Sequence, residues 1–179
     1  MGITEERLVE MEKEKINLEK ARELAEKYGE IIASKQEEIE KEEFKKFFLL
    51  HCESVREAAV ALSKGKADEE ILRIAGWVHD IGKAISYKEH AKHSLKILEK
   101  NFEINEKLKD CILNHSSDKN PKTKEGKIFR VADKAFILNP KYLKFLVENT
   151  EELRKEEVKF IKLMVEKAID LLKNYKWDS

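Results

Sequence analysis

An all-α fold follows from three observations on this 179-residue sequence. Apolar residues recur at helical spacing through most of the chain, and no run alternates with period two for long enough to require a strand. Glycine and proline are sparse, beside 40% charged and 41% hydrophobic residues. Such a mixture gives helices with one buried stripe and solvated charged faces. The length suits one domain with a real core and is short for two.

Residues 4–47 mix charges of both signs with Leu8, Met11, Leu18, Ala21, Leu24, Ala25, Tyr28, Ile31 and Ile32 at roughly helical spacing. That predicts one or two long amphipathic helices, divided at Gly29 as a candidate C-cap. The stretch is either an arm that pairs with a partner or a second copy, making a homodimer, or an extension that packs its stripe on the main domain. Heptads are not sustained enough to require a coiled coil. Residues 1–43 are accordingly read as a charged helical extension and 44–179 as the core unit.

From Phe44 the apolar face is denser, and Phe47, Phe48, His51, Val55, Ala58, Ala59 and Leu62 share it up to a break at Lys64-Gly65. Asp68 is placed to cap the next helix, which carries Ile71, Leu72, Ile74, Ala75, Trp77 and Val78 and ends at His79-Asp80. A helix over about 88–100 holds His90, His93, Leu95, Ile97 and Leu98, and one over about 105–115 holds Leu108, Cys111, Ile112 and His115. A polar loop with Ser116, Ser117, Asp118 and Pro121 precedes an apolar segment through Ile128, Val131, Ala132, Phe136 and Ile137, which contains Asp133. Asn139-Pro140 reads as an N-cap followed by proline in the first helical position. Residues 151–175 form a last amphipathic helix, with Ile161, Met164, Val165, Ala168, Leu171, Leu172 and Tyr175 assigned to the core.

Charge and cysteine usage narrow the function classes. With 36 basic and 36 acidic residues, no global field draws the chain to nucleic acid or to a membrane surface. Cys52 and Cys111 cannot make a disulfide scaffold for this length and form no Cys-x-x-Cys pair, so they read as reduced, buried thiols of a cytoplasmic protein. The start of the chain has no apolar signal region, and no stretch approaches the roughly 20 apolar residues that span a bilayer.

All five histidines lie between positions 51 and 115. A histidine on an apolar helix face, as His51 is, is more often a satisfied core residue than a ligand. Applied to His51, His79, His90 and His115 together, that reading buries all of those imidazoles in one small core, which is costly when their nitrogens lack partners. A metal satisfies them jointly. Asp133 shares the character, a carboxylate between Val131-Ala132 and Ala135-Phe136, with a salt bridge to Lys134 or Arg130 as its structural reading. Asp80 can bridge two cations or orient bound water. Imidazole with carboxylate suits Mn, Fe, Co, Ni or Zn, the ions with which hydrolases activate water against phosphate esters and anhydrides.

The order His51, His79-Asp80, Asp133 resembles the HD superfamily of metal-dependent phosphohydrolases, and His79-Asp80-Ile81-Gly82-Lys83 looks like its HDIG variant. The resemblance covers residues 44–140, approximately, and implies an all-helical HD-domain bundle in which His51, His79, Asp80 and Asp133 bind a first divalent metal. His90 and His115 are similar to the positions that hold a second metal in one subgroup. His93, three residues from His90, is the other candidate there, and the spacing to Ser94 favours His90. The run from His115 through Ser116-Ser117 to Val131-Ala132-Asp133 resembles the HD-type enzymes that split symmetrical diadenosine tetraphosphate. The chain departs from these in its N-terminal arm and in having Lys134 and Lys141, not an arginine, soon after Asp133. It departs from the HD-GYP phosphodiesterases in its Asn114-His115 and its want of a Gly-Tyr-Pro stretch.

The expected activity is hydrolysis of a small phosphorylated substrate, a nucleotide or its relative, by metal-activated water. Asp80 is the catalytic carboxylate, and the Lys83 ammonium neutralises substrate phosphate, unless Lys83 is a solvated surface lysine. Arg130 is read as closer to a surface ion pair than to the site, and Ser116, Ser117 and Asp118 as turn residues on a pocket rim. Two other readings stay open: a non-catalytic regulatory module that binds nucleotide or metal, and an HDIG-type RNA phosphodiesterase. The latter needs a basic track that the neutral total does not supply.

Overall fold

Short polar caps start most of the helices. In α1 (Leu18–Ala33) the Asn17 side chain accepts from Lys20 N, and in α3 (Glu69–Val78) Asp68 accepts from Ile71 N. Between them α2 (Lys41–Ser63) ends where Lys64 and Gly65 turn left-handed, at φ 49° and 70°. A 3-10 turn (Ile81–Ala84) leads to α4 (His90–Glu99). Asn105 caps α5 (Glu106–Leu113) and Thr123 caps α6 (Lys124–Ala135). A 3-10 turn (Phe136–Leu138) then precedes α7 (Pro140–Glu148) and α8 (Lys155–Asn174). Asn139 Oδ1 accepts from Lys141 N at 2.9 Å, beside the proline that opens α7.

This computed structural model describes residues 13–37, 40–148 and 155–175, and its fold is all-α. Leu8 and Met11 and the start of the expected last helix, residues 151–154, lie outside the described residues. Two strands of two residues each, β1 (Glu14–Lys15) and β2 (Phe102–Glu103), form a parallel pair with Glu14 opposite Phe102. They are too short to leave an alternating pattern in the sequence.

α2 runs through the middle, packed on α1, α3 and α6, and α8 lies on α6. One buried cluster joins Ala21, Ala25 and Ile32 of α1 to Phe48, Cys52 and Val55 of α2, Leu72 and Val78 of α3 and Phe129 of α6. Gly29 departs from its expected role as a C-cap. It lies inside α1, buried, where a Cβ would meet the Phe48 ring at 2.9 Å, and it is the crossing of α1 over α2 that requires glycine. α1 continues to Ala33. Of the α8 residues assigned to the core, Met164 and Ala168 are buried, while Ile161, Val165, Leu171, Leu172 and Tyr175 are half-buried. Among the described residues no helix is long and apolar enough to cross a membrane.

Candidate metal centre

Two glycines bring the sequence-predicted residues together. A Cβ on Gly76 of α3 would stand 2.5 Å from Arg56 Cβ and 2.8 Å from Arg56 Cα, so only glycine lets α3 approach α2 this closely, three residues before His79. A Cβ on Gly82 would fall 2.0 Å from His90 O and 2.4 Å from Ser94 N, so the turn after Asp80 lies directly on the first turn of α4. Ser94 fastens that contact: its buried hydroxyl accepts from Gly82 N at 2.8 Å and donates to His79 O at 2.7 Å. On the far side, buried Asp110 of α5 accepts from Lys122 N, Thr123 N and Thr123 Oγ1 at 2.7–2.9 Å, which ties α5, and with it His115, to the start of α6.

The six candidate ligands converge from separate elements into two groups. His51 of α2, His79 at the end of α3 and Asp133 in the last turn of α6 make the first, and Asp80, His90 at the start of α4 and His115 after α5 make the second. Asp80 lies between them. Its Oδ2 is 3.3 Å from His51 Nε2 and 3.4 Å from His79 Nε2, whereas its Oδ1 is 3.3 Å from His90 Nε2 and 3.8 Å from His115 Nε2. Asp133 Oδ1 is 3.3 Å from His79 Nε2 and 3.7 Å from His51 Nε2. His93 belongs to neither group; His90 is the one that faces His115.

The ring nitrogens test whether a metal fits. His79, His90 and His115 each point Nδ1 at the carbonyl three residues back, on Gly76, Tyr87 and Ile112, at 3.1, 2.8 and 2.7 Å. A carbonyl can only accept, so each Nδ1 carries its hydrogen, and in the neutral ring Nε2 is then a bare lone pair. His90 and His115 nevertheless bring their Nε2 atoms to 2.9 Å, and His51 and His79 theirs to 3.2 Å. In their neutral forms His90 and His115, both with Nδ1 on a carbonyl, have no proton to share between their Nε2 atoms. Asp80 Oδ1 is buried with no hydrogen-bond partner of good geometry. Facing lone pairs beside an unpartnered carboxylate oxygen, with the other ring nitrogen fixed by a carbonyl, are what a transition-metal ligand set requires.

The electrostatics agree. Burial alone would lower His79, but Asp80 and Asp133 outweigh it and raise the ring to about 9, so without a metal its Nε2 holds a proton between these carboxylates, and a bound cation would take that proton's place. Burial lowers His51 and takes His115 down to about 4, leaving the latter a neutral donor. Burial works against ionising Asp80 and Asp133. His79 and Lys83 overcome it for Asp80, and Lys134 and His79 for Asp133, so both carboxyls stay well below the usual carboxylate range.

A cavity of about 410 Å³ opens on this cluster. Lys83, paired with Asp80, and Lys134, paired with Asp133, both line it. Lys83 is thus a pocket residue and not a solvated surface lysine. Of the two salt-bridge partners read for Asp133 in the sequence, Lys134 and not Arg130 pairs with it. Ser116 lines the cavity, but Ser117 and Asp118 do not, and Arg130 turns away to donate to Lys119 O. The aromatic wall was not foreseen: Phe44, Phe47 and Phe136 carry helix-face periodicity that reads as core, and Tyr87 and Phe160 have no pattern that distinguishes them from surface residues. The HD domain profile matches residues 18–135, from the first turn of α1 to the end of α6. Neither a curated protein nor a solved structure matches the chain.

Proposed function

Since the chain belongs to the HD domain family, we propose that it is a metal-dependent phosphohydrolase of the HDIG kind, cleaving a phosphoester or phosphoanhydride in a nucleotide-like substrate. The observation that carries this reading is the position of Asp80, one carboxylate oxygen turned to His51 and His79 and the other to His90 and His115. His51, His79, Asp80 and Asp133 would hold one divalent ion, and Asp80, His90 and His115 a second. Mn, Fe, Co, Ni or Zn suits such donors and supplies, when bound, Lewis acidity and a nucleophilic water at neutral pH.

The chain's own residues do the rest. Asp80, kept ionised, would orient the nucleophilic water as a hydrogen-bond acceptor. Lys83 stays protonated, because Asp80 outweighs its burial, and offers an ammonium to the substrate phosphate. Lys134 offers a second from the α6 side of the cavity. Ser94 and the carbonyls behind the histidines hold these groups in place before substrate arrives, which removes reorganisation from the chemical step. The buried free thiols Cys52 and Cys111 accord with a reducing, cytoplasmic setting.

Metal analysis of the purified chain, with hydrolysis of nucleotides and dinucleoside polyphosphates assayed across Mn, Co and Ni, tests the proposal. It predicts one or two ions per chain and metal-dependent turnover that Asp80→Ala abolishes. Absence of bound metal together with no gain of activity on adding any of them would refute it. Ligand binding without turnover in the wild type would instead indicate a regulatory module.

A further inference from the structure

The cavity extends beyond the region that matches the family. The match ends at Ala135, yet Phe160 and Met164 of α8 line the same cavity as His51, Asp80 and His115. Met164 is 8% exposed and serves as packing, whereas Phe160 is 53% exposed, a large apolar ring left open to solvent at the edge of the site. Tyr87 is its counterpart from the loop after the His79-Asp80 turn, 54% exposed and also lining the cavity.

Tyr87 makes three contacts at the site. Its hydroxyl accepts from Gln36 Nε2 at 3.2 Å, its ring lies 6.0 Å from the Lys83 ammonium, and its carbonyl accepts from His90 Nδ1 at 2.8 Å. The ring therefore stands beside Lys83, the candidate phosphate-binding lysine, and its backbone supports a candidate metal ligand. Phe44 and Phe47 line the same cavity, their ring centroids 6.2 Å apart. The cavity is thus lined by cationic and ligand side chains and by aromatic rings together. Exposed rings of this kind add nothing to core packing, and a planar group stacked on them would be shielded from water.

We infer that Phe160 and Tyr87 form a subsite for a planar aromatic group of the substrate, such as a nucleobase, so that α8 sets specificity from outside the family module. The inference rests on the proposed function, because the phosphate attached to that group is taken to reach Lys83 and the metal ligands. Stacking of one base on an aromatic side chain changes affinity on the order of tenfold.

Calorimetric titration of the full, manganese-loaded chain with AMP and, separately, with inorganic phosphate distinguishes the parts. Phe160→Ala should weaken AMP binding about tenfold and leave phosphate affinity and bound manganese unchanged, and Phe160→Trp should restore AMP affinity. Tyr87→Leu should behave like Phe160→Ala. Equal loss of AMP and phosphate affinity in Phe160→Ala, or no loss of either, would overturn the inference. So would phosphate binding without AMP binding in the wild type, with the proposed function left standing. Failure to bind manganese and phosphate at all would remove both.

Discussion

Gly82→Ala is expected to damage both stability and the metal centre. A methyl at this position would lie 2.0 Å from His90 O, 2.4 Å from Ser94 N and 2.8 Å from His93 Cβ. The first two are backbone atoms of the opening turn of α4, which cannot rotate away as a side chain would, so α4 must move off the turn. Overpacking of this kind costs about 1–3 kcal/mol. Separating the elements also breaks the buried bond from Gly82 N to Ser94 Oγ, for roughly a further 1–3 kcal/mol. A total near 4 kcal/mol lowers the melting temperature by about 10 °C for a chain of this length. Because His90 opens the displaced helix, affinity for the second ion should fall more than for the first. Gly65→Ala is the control: Gly65 has φ 70° but nothing within 4 Å of an added Cβ, and the strain is only about 1 kcal/mol. Thermal melts by circular dichroism and metal titration of both variants check this. If Gly82→Ala melted within about 2 °C of wild type with its metal affinity intact, the account of the turn would be wrong.

Asp110→Asn should cost about 2–3 kcal/mol, since it weakens the bonds from Lys122 N and Thr123 to a buried carboxylate; urea unfolding measures it. Burial raises the Asp110 pKa, but the Thr123 bonds outweigh it and hold the group below its ordinary value. Its stabilisation is therefore complete above the ordinary carboxylate range and is lost as pH falls through the depressed value, so urea midpoints between pH 7 and pH 3 should fall less steeply in the Asn variant. Lys134→Ala should raise the KM of a phosphorylated substrate about tenfold with a smaller effect on kcat, read from steady-state kinetics. Saturating manganese should raise the melting temperature and chelator should reverse this, by about 2.7 kcal/mol at one hundred times Kd; an unchanged melt would mean that the donors do not bind the ion.

The fold class and the helix order were legible because each rests on local signals, whereas the convergence of the histidines followed from the cost of burying each imidazole alone and from the resemblance. Helical spacing marks the faces of α2 and α3, Asp68 and Asn139 mark helix starts, and His79-Asp80 sits where an apolar run stops. Gly29 was misread because a glycine after Lys27-Tyr28 is equally suited to ending a helix and to letting another helix pass; only the Phe48 ring beside it decides. His90 could be preferred to His93 through Ser94, but the reason is tertiary, the two bonds from Ser94 to the turn that carries Asp80. The aromatic wall lay beyond sequence reading, because periodicity shows that Phe44 and Phe47 face inward and not that inward is a cavity. Lys134 was similarly ambiguous, a basic neighbour of Asp133 whose direction depends on how α6 lies against α2.

The central claim is that Asp80 is shared between two metal positions. Anomalous diffraction from crystals of the manganese-loaded chain tests it directly. The account predicts two manganese peaks, one bounded by His51, His79 and Asp133 and the other by His90 and His115, with Asp80 contacting both. A single peak, or manganese bound without contact to these histidines, would contradict it.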